Sequence, residues 1–383
     1  MGWNWQQRDW PHFTWDQALL RKAEEEFLVG SGVVLGAVKH LGDEDRNLLT
    51  VESISTEALT TSEIEGEILD RASVQSSIRK ALGLATDKRR VRPAEAGVAE
   101  MMTGLYRFYQ EPLEEETLWN WHRQLMKGRE DLKDIGRYRR SEEPIQAVSG
   151  ALYSPVVHFE GPSSKAVPKE MARFVKWFNS TAPSGPQPLP AVTRAAIAHL
   201  YFESIHPFED GNGRIGRAIS EKALAQGVGQ ASLTALAETI LIRRKAYYAA
   251  LEAANTGNEI TKWLAWFAGI AIEAQRRTAA RAEFLIDKTR LLDRLRNKLN
   301  ERQETALLRI LHEGPEGFKG GLSAGNYMKI TGASAATATR DLADMVEMGA
   351  LTRSGEKRYA RYAAAIPLRL VSPVTIGRHG HLT

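Results

Sequence analysis

His206-Pro207-Phe208-Glu209-Asp210-Gly211-Asn212-Gly213-Arg214-Ile215-Gly216-Arg217 is the stretch from which the rest of the chain is best read. Pro207 disfavours helical geometry in the residue before it, so a helix ends near Ile205 and His206 opens a turn. Asp210-Gly211-Asn212-Gly213 is a tight turn with two glycines, able to aim successive backbone N–H groups into one hollow. A new helix starts at Arg214 and runs through Arg217 to Leu224. A glycine-rich turn feeding a helix N-terminus is an anion site, because unpaired N–H groups and the positive helix end both face the ligand. Arg214 and Arg217 lie three apart and add two guanidiniums suited to phosphate oxygens. Asp210 beside such a site suggests Mg2+, which prefers carboxylate plus phosphate oxygens. His206 is placed to serve as a general base. Each fragment alone is an ordinary turn or a structural histidine; all of them within twelve positions is a far rarer combination.

Outward from this stretch, 383 residues predict two or three domains. Hydrophobic residues at 43% and charged residues at 26% exclude a disordered chain. The net charge of +4 and pI near 9.1 leave nucleic-acid binding open without announcing it. The absence of cysteine removes disulfides, thiolate metal sites and a cysteine nucleophile. The start, Met1 to Arg8, has no apolar core of signal-peptide length, and Gln6 breaks the myristoylation pattern that Gly2 would need. The longest apolar stretch, Gly32 to Val38, is far short of the ~20 residues that span a bilayer. The expectation is a cytoplasmic protein with no membrane partner.

Trp3, Trp5, Trp10, Trp15 and Phe13 crowd the N-terminus and read as anchors packing an arm onto the body, with a docking surface as the alternative. Thr14 with Gln17 reads as a capping box opening a helix towards His40. Further helices are expected over 45–60, 93–109, 114–126, 168–181 and 189–205, and after Glu238. Lys88 to Arg92 reads as a basic loop. Ile145 to Phe159, with Tyr153 inside it, suits a hairpin or flap. Ile260 to Ile272 is another helix, and the leucines from Arg276 to Leu311 suggest a long amphipathic linker helix that could also support a homodimer. Beyond it, a helix over 334–348 and short strands at Leu351–Arg353 and Arg358–Tyr362 have the layout of a winged helix, a DNA-binding module in many proteins.

The quoted stretch resembles the Fic-domain family of nucleotidyltransferases, whose pattern His-x-Phe-x-(Asp/Glu)-Gly-Asn-Gly-Arg-x-x-Arg is matched at every fixed position from His206 to Arg217. Similarity extends more loosely over 136–267, with Gly136-Arg137-Tyr138-Arg139 resembling the segment before the family's flap. The resemblance implies transfer of AMP from ATP to a Ser, Thr or Tyr hydroxyl of a protein target. It implies His206 as base, Phe208 as a core anchor and Asp210 as the Mg2+ ligand. Gly211, Asn212 and Gly213 would be the anion hole, with Arg214 on the β-phosphate and Arg217 on the γ-phosphate. Tyr248 and Asn255 would line the adenine end, and the hairpin would align the target by strand addition. Thr61-Ser62-Glu63-Ile64-Glu65-Gly66 resembles the family's inhibitory helix, in which Glu65 would occupy Arg217 and Thr61 would share its helix face.

The resulting expectation is a mostly α-helical chain: a Fic-type bundle with a β-hairpin flap, plus a C-terminal winged helix. The divisions expected are 1–85 (helical, with the inhibitory helix), 86–275 (catalytic), 276–311 (linker helix) and 312–383 (winged helix and tail). Two alternatives stand beside autoinhibited AMP transfer. One is a DNA-binding transcriptional regulator whose Fic core senses nucleotide. The other is a Fic enzyme whose main activity is AMP removal.

Overall fold

The computed structural model describes residues 2–39, 41–87, 89–151, 154–231 and 234–383. His40, Lys88 and Tyr153, named above, lie outside them, as do the side chains of 149–156 and of Arg358. Among the described residues, helices dominate. In chain order they are α1 (Gln17–Lys39), α2 (Asp43–Ile64), α3 (Arg71–Ala81), α4 (Pro93–Arg107), α5 (Glu115–Leu125), α6 (Val167–Ser180), α7 (Ala191–Ile205), α8 (Asn212–Val228), α9 (Leu236–Ile242), α10 (Arg244–Ala254), α11 (Thr261–Leu295), α12 (Glu301–Leu311), α13 (Ala324–Thr331) and α14 (Ala335–Glu347). Two antiparallel hairpins complete the set: β1 (Gln146–Ala151) with β2 (Ser154–Glu160), and β3 (Leu351–Ser354) with β4 (Arg361–Ala364). Contacts divide the chain into one compact unit of Met1–Val33, Thr50–Gln275 and Pro373–Thr383, and another of Val34–Leu49 and Arg276–Ser372.

The first unit is built around α7, every residue of which is buried. Apolar side chains lie on all its faces, as expected of a helix enclosed on every side, and its buried Thr193, Arg194, His199 and Ser204 are hydrogen-bonded. α8 runs against it, and at one end the helices approach so closely that a Cβ on Gly227 would collide with Ala191. Phe174, Phe178, Phe202, Phe208, Trp263 and Phe267 fill the surrounding core, each contributing about 1.5–3 kcal/mol of burial free energy. The N-terminal tryptophans are anchors onto this body. Trp10 meets Tyr201 edge-on at 5.0 Å and donates its indole N–H to Glu170. Trp3 meets Phe159 edge-on at 5.4 Å, and the Trp5 indole donates to the Glu160 carbonyl at 2.7 Å.

Several local expectations need correction. The cap of α1 is Asp16, whose carboxylate accepts from the N–H groups of Ala18 and Leu19. Thr14 instead bridges to Glu259, its backbone bonding to Asn258 and Ile260. The segment after Glu238 is two helices, α9 and α10, broken at Arg243. α3 was not foreseen, because its sequence is polar and its inward residues are small (Ser73, Ser76) beside Val74 and Ile78. The span 276–311 is not one helix: α11 ends at Leu295, and α12 begins afresh behind an Asn300 cap on Gln303.

The second unit has its own core, in which Leu307, Ile310, Leu311, Tyr327, Leu342 and Met345 are buried together. Residues Pro373–Thr383, expected as a tail of the C-terminal part, belong to the first unit. There Thr375 and Thr383 pair backbone to backbone, and the Val374 carbonyl lies so close to Gly269 that a Cβ there would collide. No helix among the described residues is long and apolar enough to cross a membrane.

Candidate active site

α7 ends at Ile205, and His206 takes a left-handed conformation (φ 50°, ψ 61°). For a residue with a Cβ this costs roughly 1–2 kcal/mol, so something must hold it. Arg139 does. Its backbone N–H donates to the Pro207 carbonyl at 2.9 Å, its Nε to the His206 carbonyl at 2.8 Å, and its Nη2 to the Pro162 carbonyl at 2.5 Å. The Gly136–Arg139 segment therefore pins the turn that presents the histidine. His206 Nδ1 faces the Glu203 carbonyl at 3.3 Å. That contact suits an Nδ1–H donor and leaves the Nε2 lone pair available. Burial pulls the imidazole pKa down to about 4, so the ring is neutral at pH 7.

The turn is held from within. The Phe208 N–H donates to Asn212 Oδ1 at 2.9 Å, and Asn212 Nδ2 donates back to the Phe208 carbonyl at 2.8 Å. The Asn212 side chain is thus a brace, and only its backbone N–H is left for an anion. Phe208 is fully buried and stacks on His122, with ring centroids 4.3 Å apart. His122 Nδ1 accepts from the Gly136 N–H, so its Nε2 carries the hydrogen that faces the Asp210 carbonyl at 3.2 Å. Gly211 (φ 82°) reverses the chain, and α8 starts at Asn212. The N–H groups of Asn212, Gly213 and Arg214 fall in the first helical turn, where no carbonyl four residues back can accept them. A Cβ on Gly213 would intrude on this cradle, colliding with Glu65 Oε1.

Both arginines of the motif are buried and both are engaged. Arg217 Nε donates to Thr61 Oγ1 at 2.8 Å, and Nη2 donates to the Thr61 carbonyl at 2.9 Å and to Glu65 Oε1 at 2.7 Å. Arg214 Nη1 pairs with Glu67 Oε2 at 2.7 Å, a partner not foreseen from sequence. The reason lies in how α2 ends. Gly66 (φ 84°) and Glu67 return their N–H groups to the carbonyls of Glu63 and Ser62, a Schellman turn. Glu65 and Glu67 thus flank one left-handed glycine and meet two arginines three residues apart. Asp210 Oδ2 accepts from Arg129 Nη1 at 2.7 Å, and its Oδ1 lies 3.6 Å from Arg214 Nη2. Arg129 was also missed, since nothing in its local sequence marks it.

The structure distributes the remaining candidates. Tyr248 reaches the end of α2, its hydroxyl 3.4 Å from the Ile64 carbonyl. Asn255 is buried at the end of α10, where its carbonyl accepts from the Asn4 N–H at 2.7 Å. This bond ties Asn255 to the N-terminal arm. Glu203, absent from the sequence reading, lies buried with Oε2 3.6 Å from His206 Nδ1. Burial raises its pKa to about 8. The hairpin β1–β2 leads by Phe159 to a ring contact with His206 at 6.2 Å, and Val148 and Val157 are exposed on it.

Comparison with known proteins agrees with this geometry. Residues 112–224 match the Fic/DOC family. This segment is a Fic domain. Residues 3–84, upstream of it, match a domain of unknown function, DUF4172. Over 120 residues the chain is 30% identical to a probable protein adenylyltransferase of Aquifex aeolicus, covering 31% of each. Over 140 residues it is 33% identical to the protein adenylyltransferase Fic of Drosophila ananassae, covering 36% of this chain and 24% of that one. The chain thus spans about a quarter to a third of the curated relatives it matches. A Fic family protein from Desulfovibrio desulfuricans G20 shares the fold over 92% of this chain and 98% of its own, with TM-score 0.51 and 21% identity. The mostly helical Fic fold carries the motif as one continuous turn between α7 and α8.

Proposed function

We propose that the chain is a protein adenylyltransferase, moving AMP from ATP to a hydroxyl of a Ser, Thr or Tyr side chain on a protein. The observation that carries this reading is the convergence on one turn of a neutral histidine, first-turn N–H donors and two buried guanidiniums. The names of the sequence relatives support it. His206 Nε2 takes the proton of the attacking hydroxyl. Attack on the α-phosphorus builds charge on its oxygens and on the leaving pyrophosphate. The N–H groups of Asn212, Gly213 and Arg214 are fixed by the helix they open, and the two arginines stand beside them to meet such charge once their carboxylate partners leave.

Asp210 is a half-exposed carboxylate at the mouth of the cradle. It fits Mg2+, which is held by one or two carboxylates with substrate phosphates. When bound, the ion would neutralise phosphate charge, and Arg129 would have to yield Oδ2. In the same reading the conformation is autoinhibited: Glu65 and Thr61 occupy Arg217, the partner of the γ-phosphate, and Glu67 occupies Arg214.

The test compares α- and γ-labelled ATP with wild-type and His206→Ala protein. Label is expected from the α position alone, with AMP-sized adducts by mass spectrometry. Loss of the base should lower transfer by on the order of 10²–10⁴. Transfer of γ-label, or α-label retained in full by His206→Ala, would overturn the reading.

A further inference from the structure

We propose that the second unit binds duplex DNA, through the N-terminal half of α14 and the β3–β4 hairpin. The chain's net charge of +4 hides a strong partition. Residues 276–372 hold 18 Lys+Arg against 11 Asp+Glu, while the rest of the chain holds 33 against 36. Many carboxylates of this unit are already spent on neighbours. Asp341 takes Arg302, Glu313 takes Arg309, Glu283 and Asp287 take Arg369, and Asp293 takes Arg296. Arg340 on α14, with Arg353 and Lys357 in the hairpin, is exposed, and among the described residues none of the three has an ion-pair partner.

The local fold places these cations on a shape that suits a groove. α13 and α14 are joined by only Gly332-Ala333-Ser334, with Gly332 left-handed (φ 70°) and Ser334 Oγ capping Thr337. This is a helix–turn–helix connection. Ala338, Leu342 and Met345 bury the inner face of α14. Outward, its first two turns carry Ala335, Ala336, Thr339 and Arg340. Small side chains let a helix backbone approach base edges. A methyl or hydroxyl suits thymine methyls and phosphates, and an arginine suits guanine or phosphate. The exposed carboxylates of α14, Asp344 and Glu347, fall in its second half, away from that end. A second Schellman turn at Gly349 returns Ala350 N–H to the Met345 carbonyl and starts β3 directly after the helix. The hairpin cations therefore follow α14 closely in the chain. A polyanion with a groove about 12 Å wide is the partner that charge and shape share.

The experiment measures fluorescence polarisation of a labelled 30-base-pair mixed-sequence duplex with the full chain between 50 and 200 mM NaCl. Binding is expected at low salt, falling linearly on a log–log plot. Arg340→Glu, Arg353→Glu and Lys357→Glu should each reduce the slope by about 1, and the triple variant should abolish binding with its circular dichroism unchanged. Lys169→Glu in the first unit should leave binding unaltered, as should His206→Ala. No polarisation change at 50 mM NaCl would overturn the proposal. So would wild-type affinity in the folded triple variant, or tighter binding of single-stranded RNA or phosphatidylserine vesicles than of the duplex. None of these outcomes depends on nucleotide transfer, so the AMP reading stands or falls separately.

Discussion

At the scale of single residues, the two carboxylates that meet the motif arginines differ in the company they keep rather than in burial, their side chains being 33% and 38% exposed. Arg217 is only 3% exposed at its side chain and donates three hydrogen bonds, two to Thr61 and one to Glu65. A charge-assisted hydrogen bond of this kind contributes about 1.5–3 kcal/mol. Glu65→Gly is therefore expected to raise α-label self-incorporation by roughly ten- to a hundredfold. Glu67 meets Arg214 through a single hydrogen bond, and Arg214 also has Asp210 at 3.6 Å, so its charge stays partly compensated without Glu67. Glu67→Gln should raise incorporation by only about two- to fivefold. A densitometric time course of both variants checks the ranking; equal labelling in wild type and Glu65→Gly would remove the inhibitory role. His206, Asp210, Arg214 and Arg217 were legible in the sequence because their chemistry is concentrated in twelve adjacent positions. Arg129, Glu67, Arg139 and His122 reach the same turn from other elements. Of these only Arg139 had a sequence signal, as part of Gly136–Arg139.

At the scale of elements, helix ends carry more of the function than helix bodies. Gly66 is the left-handed residue of the Schellman turn, and no atom lies within 4 Å of where its Cβ would stand. An alanine there would meet no clash and would pay only the backbone cost, about 1–2 kcal/mol. Gly66→Ala should loosen the turn, lower the melting temperature slightly and raise basal labelling. Gly66→Asn should do so less, because asparagine tolerates this conformation. Thermal melts with parallel labelling check the pair, and identical behaviour of the two variants would count against the turn as the controlling element. Most strongly periodic helices were readable with boundaries within a few residues, but the expected break between 272 and 276 is absent, α11 running unbroken from Thr261 to Leu295. α3 was not, because a polar sequence with small inward residues carries little periodic signal. The Thr14 cap was misplaced because Asp16 offered an equally local carboxylate, and the tertiary bridge to Glu259 claimed Thr14.

At the scale of the molecule, buried titratable groups set the pH range of stability. Burial lowers His122, His199 and His206 to about 4, 3 and 4. Each is neutral in the fold and must gain a proton as the unfolded chain does near 6.5, so stability is full above that value and is lost as pH falls towards 4. Glu203 works in the opposite sense. Raised to about 8, it favours the folded state while protonated, and its contribution falls as pH rises from 4.5 to 8. Melting temperature should therefore peak near pH 6.5. Glu203→Gln should flatten the alkaline limb and steepen the acid limb above pH 4.5; an unchanged alkaline limb would refute this assignment. A mostly helical fold was legible from pattern, but the return of 373–383 to the first unit was not. That return depends on contacts far apart in sequence, which no local window contains.

The Schellman turn of α2 has one more consequence. Glu65 and Glu67 are tethered to the cradle they fill, within one compact unit. In the proposed reading ATP competes with a covalently attached rival, present at an effective concentration in the millimolar range. Dilution cannot relieve such a rival, and cellular ATP of similar concentration only partly displaces it. In that reading, control lies with whatever shifts the last turn of α2, since moving that one turn would free Arg214 and Arg217 together.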